Sequence, residues 1–233
     1  MKGLEITGIK GALRRAGVID RKGLKGFLRD VAGVIHVGAH TGQERSLYQQ
    51  YRLRVLWIEP LTSLYEVLVE NLAEYPAQRA VQALITDKDG CEYPFHIASN
   101  AGGSSSILEL KLHEDIWPDV TTTETIMLRS RTLESLIKEK GIDPDDYDAL
   151  VMDTQGSELL VLNGAGALVS GFKYIQTEVA DFEAYEGCCQ LEDIEAFMLG
   201  MEFREHARKM IAERPGGGAY YDIVYKRVSA PSR

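Results

Sequence analysis

The sequence is short of the features that mark a secreted, membrane-spanning or zinc-bound protein. It has three cysteines, Cys91, Cys188 and Cys189, an odd count with two of them adjacent. Such a set is a poor disulfide framework. No Cys-x-x-Cys or Cys/His cluster has the spacing of a zinc site. Reduced thiols in a reducing compartment are the expectation. No apolar run approaches the ~18 residues that span a bilayer. Met1 to Lys10 lacks the apolar core and small-residue cleavage site of a secretory signal. A cytoplasmic protein without an integral membrane segment is therefore expected. Basic residues are also in deficit. The net charge of −9 has the wrong sign for general binding to nucleic-acid phosphates, so no nucleic-acid partner is expected. The basic residues present are unevenly placed, with eight Lys/Arg against three Asp/Glu in residues 1–30. The plain reading is a solvated helix face. A sharper one has Lys22, Lys25 and Arg29 docking an anionic acceptor or a membrane surface.

What is present is an ordinary globular composition, 45% hydrophobic and 26% charged over 233 residues. That length suits one α/β domain with a core on both faces of a sheet. Residues 1–30 read as a helical extension broken by Gly11, Gly17 and Gly23, and residues 31–233 as the domain proper. Val31–Val37 is a short apolar run that reads as a buried strand, followed by a tight turn. A helix over 43–51, a strand over 54–58 and a helix over 61–72 follow. The last rests on Leu61, Leu64, Tyr65, Leu68 and Leu72 at helical spacing. A third strand is predicted over Ala80–Ile85. This alternation is that of a parallel sheet with helices on both faces.

The fourth strand, Ala149–Met152, comes late. Between it and the third, Glu92–Ile97 and Thr121–Arg131 read as extended, with Ser/Gly-rich residues 99–106 between them. Residues of about 90–131 are therefore expected to form an inserted hairpin or lid. Helices over 132–140, 156–164 and 191–199 and a fifth strand over Tyr174–Val179 complete the rhythm. Residues 202–208 and 219–227 suit an antiparallel closing pair around Pro215-Gly-Gly-Gly218.

The turn after the first strand is Gly38-Ala39-His40-Thr41-Gly42. A turn that leaves a buried strand and opens a helix presents backbone N–H groups to a ligand. Glycine there permits close backbone approach. The spacing is not the G-x-G-x-x-G of dinucleotide enzymes, which disfavours an NAD-dependent reductase. Glu59, followed by Pro60, ends the second strand about 20 residues past the turn, where an acid can accept from both ribose hydroxyls. Asp87, after the third strand, is a candidate partner for an adenine amino group or an ordinary turn residue.

These segments resemble the FkbM family of methyltransferases over most of residues 31–227. The resemblance rests on Val34-Ile-His-Val-Gly-Ala-His-Thr-Gly42, Trp57-Ile-Glu-Pro60, Ile85-Thr-Asp-Lys-Asp-Gly90, Ser104-Ser-Ser-Ile-Leu108 and Arg131-Thr-Leu-Glu-Ser135. Its most specific segments are Met152-Asp-Thr-Gln-Gly-Ser-Glu-Leu-Leu-Val-Leu-Asn-Gly164 and Ile175-Gln-Thr-Glu-Val179. It implies a Rossmann-like seven-stranded methyltransferase sheet, mostly parallel, with an antiparallel C-terminal strand and helices on both faces. It also implies S-adenosylmethionine as cofactor, S-adenosylhomocysteine as product, and O-methylation of a sugar, polyketide or related small acceptor. The family often carries Asn where this chain has His40.

Methyl transfer to a hydroxyl needs alignment and a base for the acceptor proton. Asp153 ends the fourth strand, on the edge where ligands of open α/β sheets sit, and can face cofactor and acceptor together. Glu158 in the next helix and Glu178 near the end of the fifth strand are the other candidate acids. Convergence of the three would raise their proton affinities. The plain alternative for Asp153 is a helix N-cap. His40 in the turn is a further candidate base. His36 reads as a hydrogen-bonded core residue. His96 and His113, with Tyr185, Trp117 and Ser104–Ser106, are secondary candidates for the acceptor pocket. A Mg²⁺ reading would use Asp153, Glu178 and Asp181, but no metal ligand set is assigned. The alternatives to O-methylation are N-methylation of a small amine and a nucleotide-binding regulatory module without turnover.

Overall fold

The computed structural model describes residues 23–228. Lys22 and most of the expected N-terminal helical pieces lie outside the described residues. The main sheet is built from β1 (Gly33–Val37), β2 (Arg54–Glu59), β3 (Gln78–Gln82), β7 (Ala149–Met152), β8 (Tyr174–Ala180), β9 (Phe203–Glu213) and β10 (Ala219–Arg227). Its order is β3-β2-β1-β7-β8-β10-β9. Neighbours from β3 through β8 pair in parallel, whereas β10 runs antiparallel to both β8 and β9. The expected methyltransferase topology is the one observed.

Period-two alternation assigns the two faces of the sheet. Ile35, Val37, Leu56, Ile58, Leu150 and Met152 look to one side, where α3 (Leu133–Glu139), α4 (Glu158–Ala165) and α5 (Leu191–Gly200) bury Leu136, Val161 and Ile194. Val34, Val55, Trp57 and Val151 look to the other. There α1 (Arg45–Gln50), α2 (Thr62–Asn71) and a 3-10 turn at Gly26–Arg29 supply Tyr48, Leu68, Phe27 and Leu28. Each large side chain buried this way contributes about 1.5–3 kcal/mol.

The third strand departs from expectation. The run over 80–85 splits at Ala83, whose N–H donates to the Glu59 carbonyl. Beyond it, β4 (Leu84–Ile85) leaves the main sheet and pairs in parallel with β6 (Thr122–Arg131). β6 pairs antiparallel with β5 (Glu92–Ala98), giving a separate three-stranded sheet. Residues between β5 and β6 pack Ile107 with Leu61, Leu84 and Phe95, against the start of α2. The other edge of the main sheet is β9. It carries an extra residue at two places opposite β10, between Tyr220 and Tyr221 and between Val224 and Tyr225.

Gly164 on α4 fixes how closely this helix meets the chain after β4. A Cβ there would come within 2.0 Å of the Thr86 carbonyl oxygen. Gly164→Ala is therefore expected to cost about 2–3 kcal/mol by overpacking, read as a lower urea midpoint with unchanged slope.

Candidate active site

The turn after β1 is shaped by backbone crowding. Gly38 has φ +79°, and a Cβ there would lie 1.9 Å from the Asp153 carbonyl oxygen. The turn after β1 and the one after β7 thus touch backbone to backbone. The N–H groups of Gly38 and Ala39 both donate to the Ile58 carbonyl, tying the same turn to β2. His40 is held at φ +49°. Its N–H donates to Glu59 Oε2 at 2.8 Å, and the Leu61 N–H donates to Oε1 at 3.0 Å. Glu59 is 4% exposed, and burial pushes its carboxyl up to about 7 against those two donors.

One cleft of about 1950 Å³ runs from this turn along the carboxyl ends of the strands. A pocket for one small ligand holds roughly 300–1,000 Å³, so the space admits two. Gly38, Ala39, His40, Thr41, Glu59 and Pro60 line one end, with Leu61, Leu84 and Ile107 as an apolar wall. Asp153, Gln155, Gln176, Glu178 and Asp222 line the other.

Two expected cofactor contacts are corrected. Gly42 faces α2 instead of the cleft, since a Cβ there would meet Leu68 at 2.7 Å. Asp87 stands outside the cleft and pairs with Lys88 at 3.8 Å. The departure of β4 from the main sheet carries it away, and Leu84 and Ile85 take the wall position.

The acids separate into two roles. Asp153 and Glu178 are joined by the Gln155 amide, whose Nε2 donates to Asp153 Oδ1 at 2.5 Å and to Glu178 Oε1 at 3.4 Å. Glu158 does not join them. Its carboxylate folds back to accept from the N–H groups of Thr154 and Gly156 and from the Thr154 hydroxyl. It therefore fastens the turn as a buried cap, and desolvation raises its proton affinity. Asp181 is likewise committed, accepting from the Ala219 N–H and the Tyr221 hydroxyl. Among the described residues, no group of three or more His, Cys, Asp or Glu is arranged to hold a metal ion.

His40 is placed against a role as base. Its Nε2 lies 2.9 Å from the Ala101 carbonyl, an acceptor only, which requires a proton on Nε2. Its Nδ1 faces the Thr41 hydroxyl at 3.2 Å. His40 thus fastens the 99–106 segment to the turn. His36 stacks on Trp57 at 4.8 Å and bonds the Tyr48 hydroxyl; burial holds it below the ordinary histidine range. His113 is buried with Trp117, Tyr185 and Tyr220, its Nδ1 on the Tyr220 hydroxyl, and desolvation lowers it to about 4. Half-buried His96 bonds Thr125. Ser105 reaches the cleft, whereas Ser104 bonds Asn100. Sequence reasoning did not single out Gln176 or Asp222, and it offered Lys25 only as a docking residue for an anionic acceptor or a membrane surface. Lys25 donates to Gln176 Oε1 at 3.2 Å beside Asp222. A polar Gln inside the apolar run of β8 was the available signal.

The family model described as the methyltransferase FkbM domain matches residues 36–207. The chain belongs to the FkbM methyltransferase family. A curated relative, the 2-O-methyltransferase NoeI of Sinorhizobium fredii, is 26% identical over 169 residues, covering 69% of this chain and 68% of NoeI. An uncharacterized protein from Listeria monocytogenes shares the fold at TM-score 0.50 and 8% identity, over 90% of this chain and 69% of that one. The B. subtilis M1A22 tRNA methyltransferase TrmK aligns at TM-score 0.49 and 8% identity over 88% of this chain. The chain spans 63% of TrmK's length, under two thirds.

The cleft fits the S-adenosylmethionine of FkbM methyltransferases. Gly38 lets the turn lie against the Asp153 backbone, and Glu59 brings a carboxylate beside the turn with a second lone pair on each oxygen. These residues would hold the ribose and the adjoining chain, with Leu61 and Leu84 against the purine.

Ribose hydroxyls bound at Glu59 would donate to its ionised form, so cofactor affinity should tighten as pH rises through about 7. The same burial acts on folding. With its folded value raised, the protonated carboxyl contributes stability that is complete below the unfolded carboxylate range and is lost as pH rises through about 7. Calorimetry should show Glu59→Gln weakening S-adenosylmethionine by roughly 10- to 100-fold, as for loss of a charged hydrogen bond. It should also flatten both pH dependences.

Proposed function

We propose that this FkbM-family methyltransferase methylates a hydroxyl oxygen of a small polyhydroxylated acceptor, a sugar or related natural product, with Asp153 as the base. The carrying observation is the Asp153–Glu178 pair, held by a neutral amide in the same cleft as Glu59 and the Gly38 turn. S-adenosylmethionine, when bound, supplies a methyl carbon activated by its sulfonium. Asp153 accepts a hydrogen bond from the acceptor hydroxyl and then its proton. Tyr185 and the 184–189 loop close one side of the site and exclude water. The 99–106 segment, bonded to the turn through His40 and Ala101, serves as its lid.

The name of the related NoeI, a 2-O-methyltransferase, supports oxygen as the target. The acidic net charge supports a small acceptor over a nucleic acid. Labelled methyl transfer onto monosaccharides, p-nitrophenyl glycosides and a cell extract tests the reading. Label on a sugar hydroxyl is the expected result; label on an amine or on RNA would replace it. Asp153→Asn should lower kcat by about 10²- to 10⁴-fold with cofactor Kd changed less than about threefold. Full kcat in this variant would remove Asp153 from the chemistry.

A further inference from the structure

We propose that Gln155 is a positioning residue whose carboxamide, locked by Tyr185, holds Asp153 and Glu178 as a paired acceptor without neutralising either. The inference rests on the methyltransferase reading above but has a test that does not need turnover.

Gln155 sits in the turn after β7 at φ +55° with its side chain buried. The Tyr185 hydroxyl donates to its Oε1 at 2.6 Å. Carboxamide oxygen and nitrogen have similar shapes, so a partner must decide which way the group points. The two carboxylates decide it, because a flipped amide would turn Oε1 toward them, and the Tyr185 hydroxyl, which also lies 3.3 Å from the Ser104 carbonyl, holds the chosen orientation. The orientation observed sends both Nε2 hydrogens to acids, one on each. The backbone is held as well. The Ser106 hydroxyl donates to the Gln155 carbonyl at 2.7 Å, and a Cβ at Gly156 would meet Cys188 at 2.8 Å. The turn has little room to shift the amide.

The choice of a neutral donor has a chemical consequence. Lys or Arg at this point would hold the acids equally well, but would stabilise their charge and lower their basicity. An amide fixes geometry without adding a positive charge at this point. It occupies Oδ1 of Asp153, while Oδ2 takes no hydrogen bond from any described residue. Oδ2 is thus the oxygen left for the acceptor hydroxyl. The ionisable groups described around the pair include Glu59 on β2, Glu158 on α4, Asp222 on β10, Lys25, Tyr185, Cys188, Cys189 and the buried His36.

The test uses the full chain bound to S-adenosylhomocysteine. The Gln155 Nε2 protons, assigned by their loss in Gln155→Leu, should resist solvent exchange in the wild type. In Tyr185→Phe they should exchange at least tenfold faster. Freely exchanging protons in the wild type would overturn the proposal whether or not an acceptor has been found. With an acceptor in hand, Gln155→Leu should lower kcat about 30-fold with cofactor Kd within twofold. Its acid limb should move to higher pH, since removal of a donor favours the protonated carboxyl. The near-isosteric Gln155→Glu supplies an acceptor where a donor is needed. Its rate relative to wild type should rise as pH falls and the introduced carboxyl becomes a donor again. Equal pH profiles for wild type and both variants, at matched melting temperature, would reduce Gln155 to a packing role.

Discussion

The close approach of Gly38 to the carbonyl of Asp153 is the constraint on which the site depends. Parallel neighbours β1 and β7 end at the same level, and a glycine at the end of β1 lets the following turns lie against each other. One turn is then available to a cofactor and the other to an acid, at a separation set by the backbone. A side chain at position 38 would push them apart, and no rearrangement of the acids would restore the geometry. The sheet therefore does more than support the site, because its register determines the distance across it.

Around that contact the protein uses backbone N–H groups and neutral side chains to hold its carboxylates. Glu59 is held by two N–H groups, Glu158 by those of its own turn, and Asp153 with Glu178 by one amide. No arginine or lysine is paired with Glu59, Asp153 or Glu158 among the described residues. Neutral donors fix the position of these groups without adding positive charge. Burial, against its two N–H donors, raises the proton affinity of Glu59.

Much of this was legible in the sequence because it depends on periodicity and on turns. The alternation of β1, β2, β7 and β8 with helical segments set the parallel sheet, and the Pro215–Gly218 turn marked the antiparallel return. Glycine and acid at fixed offsets located the cofactor end. The less legible parts depend on which neighbour a side chain finds. Glu158 is chemically as good a base as Asp153, and only the fold shows it turned into its own backbone. Asp87 follows a strand, but that strand splits at Ala83 and its last two residues join a different sheet. His40 sits in the ligand turn, yet a carbonyl from a segment 61 residues away claims its nitrogen. Gln155 was visible within a motif, and its two-acid contact was not, since Glu178 arrives from the next strand.

The bulged outer strand β9 has a consequence for solubility. A long, regular border strand offers an open ladder of amides to any other chain, and stacking at such borders leads to aggregates. The two extra residues in β9 interrupt that ladder and increase its local twist. Arg204, Glu205, Arg208, Lys209 and Glu213 add charged side chains along the same strand, and charge on a border strand discourages pairing with another chain. The last strand of the sheet is thus a poor template for an eighth.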